Sequence, residues 1–92
     1  MTKVPGAEVT VRSVSPTVLR IRGYRFYFFS KEEARPHIHV AVRGNEAKFW
    51  LVPRVVLAAN WGLRRNELSV AKRLIEDNLD AILAKWQEHL AG

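Results

Sequence analysis

Residues 36–51, PHIHVAVRGNEAKFWL, constrain the fold of this chain more than any other stretch. Apolar and polar residues alternate on both sides of an Arg-Gly-Asn step, the pattern of two antiparallel strands joined by a tight turn. Gly44-Asn45 suits a two-residue type II′ loop, because glycine supplies the positive φ that the first central position needs. That register sets Arg43 against Glu46, Val42 against Ala47, Val40 against Phe49, His39 against Trp50 and Ile38 against Leu51. A slip of one residue would turn every side chain to the opposite face, so the alternation pins the parity of the pairing.

A second hairpin is legible upstream. TVLRIRGYRFYFFS carries two β-branched and aromatic runs about Arg22-Gly23, and a loop at those two residues places Ile21 opposite Tyr24, Arg20 opposite Arg25 and Leu19 opposite Phe26. After Pro53, the run RVVLAANWG alternates through Val55, Leu57, Ala59 and Trp61 as a fifth strand would, while Pro53 and Gly62 also fit the ends of a short helix. We read it as a strand, with the helix as the alternative. From Asn66, read as an N-cap, apolar residues recur at Leu68, Ala71, Ile75, Leu79, Ile82, Trp86 and Leu90, the stripe of one long amphipathic helix. The fold class is therefore α+β: an antiparallel meander of four to five strands packed against one long C-terminal α-helix. Residues 1–15 read as a flexible N-terminal arm and 16–92 as a single domain, a size at which apolar surface is often covered by a partner or a second copy.

Composition removes several chemistries. The 92 residues contain no cysteine, which excludes disulfides, thiolate metal sites and thiol catalysis and fits a cytoplasmic protein. No apolar run reaches the roughly 18 residues of a membrane span, and the first residues have no signal-peptide core. The net charge of +6 is lopsided: residues 1–61 carry ten Lys/Arg against four acids, whereas 62–92 carry five of each. Such an excess attracts phosphates or acidic proteins, and basic surface also serves plain solubility.

Strand parity then divides the side chains. One sheet face collects the apolar residues that the helix stripe covers. The other collects Arg20, Arg22, Arg25, Tyr27, His37, His39, Arg43, Lys48 and Trp50, with Glu46 as its acid. Cations beside flat rings can hold single-stranded RNA by phosphate neutralisation and base stacking, and the same residue types enrich protein interfaces and buried sheet faces. His37 and His39 admit four readings. A metal site lacks an evident third ligand, so neither metal nor cofactor is expected. A metal-independent ribonuclease would use one imidazole as base and one as acid, near Arg25 or Lys48. Binding without chemistry, and purely structural histidines, complete the set.

PTVLRIRGYRFYFFS, then PHIHV, EAKFWL and NEL, followed by a terminal helix ending near a tryptophan, together resemble the small bacterial family catalogued as domain of unknown function 4160. The likeness covers about residues 16–90. It implies a toxin–antitoxin-like gene context, because members are often encoded beside a second small family, domain of unknown function 2442; it implies no catalytic residues. The expected function is thus a component of a bacterial toxin–antitoxin-like module that binds RNA or an acidic cognate protein through the His/Arg/aromatic face. A metal-independent ribonuclease at His37 and His39 and a structural homodimer are the alternatives.

Overall fold

The computed structural model describes residues 17–29 and 34–91. Five strands run β1 (Thr17–Ile21), β2 (Tyr24–Tyr27), β3 (His37–Val42), β4 (Asn45–Trp50) and β5 (Val56–Trp61), followed by α1 (Arg65–Asp77) and α2 (Leu79–Ala91). The strands form one antiparallel sheet in the order β1-β2-β3-β4-β5, so every chain neighbour is also a sheet neighbour. The α+β meander expected from the sequence is present, and the ambiguous segment after Pro53 is a strand. The arm expected over residues 1–15 lies outside the described residues.

Phe26, Ile38, Val40, Val42, Ala47 and Phe49 line one sheet face and are buried with Phe28, Leu51 and Val55 against Ala71, Ile75, Ile82 and Trp86 of the helices. Burial of these side chains is the main stabilising term, at about 25 cal/mol for each Å² of apolar surface removed from water. The helical stripe divides into two helices rather than one. At Asn78 the backbone leaves the helical region, with φ −120° and ψ 19°. Its amide side chain donates to the Leu74 carbonyl at 2.8 Å, capping α1, and its own carbonyl accepts the Ile82 N–H at 3.0 Å. Apolar spacing runs unbroken from Ile75 through Leu79 to Ile82, so periodicity carries no sign of the break.

The β1–β2 register is the expected one, with Leu19, Arg20 and Ile21 paired to Phe26, Arg25 and Tyr24. The β3–β4 register differs from expectation. Ile38 pairs with Phe49, His39 with Lys48, Val40 with Ala47 and Val42 with Asn45, so the loop is Arg43-Gly44. Both loop residues have positive φ, 53° at Arg43 and 79° at Gly44, as a type I′ turn requires. The shift keeps every side chain on its expected face, because it moves the pairing by an even number of positions. From this turn the Arg43 guanidinium donates from Nε at 2.7 Å and Nη2 at 2.9 Å to the two carboxylate oxygens of Glu67 on α1, tying the hairpin tip to the helix.

Glu67 also accepts the Arg64 backbone N–H at 2.9 Å, so one carboxylate closes the start of α1 and anchors the hairpin tip. The N-cap is therefore Arg64, not Asn66. The Arg43 hydrogen bonds, followed by the Arg64 N–H, hold the Glu67 carboxyl down at about 2.

Candidate partner-docking face

Opposite residues of an antiparallel pair share a face, so the residues on the side opposite the apolar one can be read from the register. Arg20 stands beside Arg25 across β1 and β2, Tyr27 beside His39, His39 beside Lys48, and His37 beside Trp50. These seven of the nine expected residues come together. Two do not. Arg43 is turned to Glu67, and Arg22, at φ 51°, lines a shallow depression with Arg73 and Asp77 of α1. Both occupy turn positions where positive φ takes the side chain off the pleat.

Six of the seven, Arg20 aside, build a ladder of rings and cations together with Arg35. The Arg25 guanidinium lies 4.6 Å from the Tyr27 ring centre, and its Nε donates to Thr17 Oγ1 at 2.8 Å. Tyr27 stacks on His39 at 5.3 Å and 22°. His39 meets His37 edge to face at 5.5 Å, and His37 meets Trp50 at 6.0 Å. Trp50 carries two cations against its ring, Arg35 at 4.2 Å and Lys48 at 4.7 Å. Each cation–ring contact is worth about 0.5–1 kcal/mol at a partly exposed site.

The histidines are less open than the pleat alone implies. His37 has no exposed surface; its Nδ1–H donates to the Arg35 carbonyl at 2.8 Å, which fixes the tautomer, and its ring lies 5.0 Å from Trp86 of α2. His39 is buried under Phe29, 5.7 Å away, and Tyr27 is buried with it. Among the described residues, no three His, Cys, Asp or Glu side chains are placed to hold a metal ion.

Residues that the sequence reading did not single out border this face. Phe29 and Trp61 are about half exposed, at 51% and 55%, and with His39 and Glu46 they frame a surface hollow of about 250 Å³. Val56 lies opposite Trp50 and Ala59 opposite Lys48, and the extra residue between them is a bulge that puts both on the ladder side. His89, the third histidine, packs at 5.1 Å on Phe28 and 5.7 Å on Trp86, and its Nε2 is buried without a hydrogen-bond partner. Its place three residues after Trp86 and seven after Ile82, beside the helical stripe, is the sequence signal that could have found it.

The ladder lies within the part of the chain that comparison with known families picks out. The model of a family described as a domain of unknown function, DUF4160, matches residues 23–87, from the first turn through Trp86. The chain belongs to the DUF4160 family. No curated protein and no solved structure matches it. In DUF4160 terms, the matched region contains the PHIHV strand, the Arg43–Glu67 anchor and all of β5, while β1 lies outside it. Among the described residues no helix is long and apolar enough to cross a membrane.

Proposed function

We propose that this DUF4160 chain is the basic member of a cytoplasmic, toxin–antitoxin-like pair and docks an acidic partner protein on the ladder face of its sheet. One observation carries the choice of protein over RNA. The rings that would stack on bases already hold the chain's own cations, Arg25 on Tyr27 and both Arg35 and Lys48 on Trp50. Base stacking would have to displace them, whereas carboxylates can approach the same cations with the rings in place. Exposed Phe29 and Trp61 beside arginines and a lysine also match the composition of protein interfaces, where Trp, Phe and Arg are enriched. A ribonuclease needs both imidazoles at one phosphate, and His37 has no exposed surface to offer.

The test is a fluorescence-anisotropy titration of the full chain against labelled nonaglutamate and labelled nona-uridylate across a salt series. The expected result is salt-sensitive binding of nonaglutamate, weakened at least tenfold by Lys48→Glu with Arg25→Glu, and weaker binding of the RNA. Tighter RNA binding that the same changes abolish would move the site to nucleic acid, and cleaved RNA would make it an enzyme.

A further inference from the structure

The ladder face runs out at β5, which has a sheet neighbour on one side only among the described residues. Its six residues, VLAANW, expose Val56 at 42%, Leu57 at 41% and Trp61 at 55%. Edge strands of soluble proteins are normally blunted by charge, proline or brevity, because free backbone N–H and C=O groups template pairing with another chain. Here no charged residue lies within the strand, and the charges sit at its ends: Arg54 before it and Arg64 and Arg65 after it, all exposed, with no acid between Leu51 and Asn66.

We infer that the edge of β5 receives an extended segment of the acidic partner as a sixth strand, an apolar strand flanked by carboxylates. The inference rests on the acidic-partner reading above and specifies how that partner is held. Main-chain hydrogen bonds along the edge give affinity, and alternate side chains meet Val56 and Trp61 on the ladder side. Terminal carboxylates of the incoming strand reach Arg54 at one end and Arg64 or Arg65 at the other. The same charges argue against a second copy as the occupant. A twofold-related copy pairing β5 antiparallel, Val56 against Trp61, would bring each Arg54 beside the other's Arg64 and Arg65, placing like charges at both ends of the joint.

The experiment uses the full chain and a fluorescein-labelled peptide, DEVTVTVED, beside nonaglutamate. Two further versions of the peptide are N-methylated at alternate amides, one set for each edge of its strand. The expected outcome is at least tenfold tighter binding of DEVTVTVED than of nonaglutamate, lost in at least one methylated version. Val56→Lys with Trp61→Lys should weaken the strand peptide at least tenfold while leaving nonaglutamate binding equal or stronger; far-ultraviolet circular dichroism checks that the exposed substitutions leave the fold intact. Equal binding of the two probes with no effect of methylation would overturn edge pairing and leave the acidic-partner reading standing. Failure of both probes to bind would overturn both. A dimer in sedimentation of the protein alone that Val56→Lys dissociates would assign the edge to a second copy and overturn the inference.

Discussion

The two ends of the sheet use the same turn and put it to opposite ends. Arg22-Gly23 joins β1 to β2 and Arg43-Gly44 joins β3 to β4, with nearly identical φ values of 51° and 83° against 53° and 79°. At the β1 end the turn arginine is exposed and makes no ion pair among the described residues, and β1 itself exposes Thr17 and Arg20. At the β5 end the turn arginine is bound through two hydrogen bonds to Glu67, and the edge strand beyond it is apolar and exposed. The difference teaches that local turn chemistry makes a hairpin, while a single residue of α1 decides which hairpin is fastened to the helices. The fastened end is also the one where we propose that the partner docks.

Glycine replacements should separate the two ends most strongly. A Cβ at Gly23, with φ +83°, meets nothing within 4 Å, whereas one at Gly62, with φ +108°, comes within 2.6 Å of Asn45 Oδ1 and 2.8 Å of its Cγ. Gly62→Ala should therefore cost about 2–3 kcal/mol in urea unfolding, and Gly23→Ala about 1 kcal/mol from backbone strain alone. Equal costs would erase the distinction.

The turn arginines come next. Arg43→Ala should lower the thermal midpoint clearly, by removing the partner of a buried carboxylate, and Arg22→Ala should leave it unchanged. Acid then sharpens the same contrast. Because the Glu67 carboxyl is lowered from 4.5 to about 2 in the folded chain, its stabilising effect is complete above 4.5 and is lost as pH falls from there through about 2. Arg43→Ala should flatten the loss of thermal midpoint across that window, and Arg22→Ala should follow the parent chain. The smallest effect is expected at the edge: Val56→Lys should change stability by no more than about 0.5 kcal/mol, since the residue is exposed, while changing binding.

These contrasts show where sequence reasoning reaches. The β1–β2 pairing follows from a loop and two apolar runs within 14 residues, and all of that information is local. In β3–β4 the face of every strand residue is legible, but the loop is not, because Arg43-Gly44 and Gly44-Asn45 both suit a two-residue turn and the two registers differ by an even step that leaves the faces unchanged. The ladder of Arg25, Tyr27, His39, His37 and Trp50 follows from parity alone. Its burial does not, because parity says which side a ring takes and nothing about Phe29 folding over His39 or Trp86 reaching His37. The bulge in β5 is equally hidden. It breaks the alternation of Val55, Leu57, Ala59 and Trp61 and brings Val56 onto the ladder side with Ala59 and Trp61.

The most direct test is a two-dimensional amide NMR titration of the ¹⁵N-labelled chain with the DEVTVTVED peptide. Binding at the fastened end predicts the largest shifts at Val56–Trp61, with smaller ones at Lys48 and Phe29, and quiet amides through Thr17–Tyr24. Shifts centred on Arg20 and Arg22, with β5 unmoved, would contradict the account.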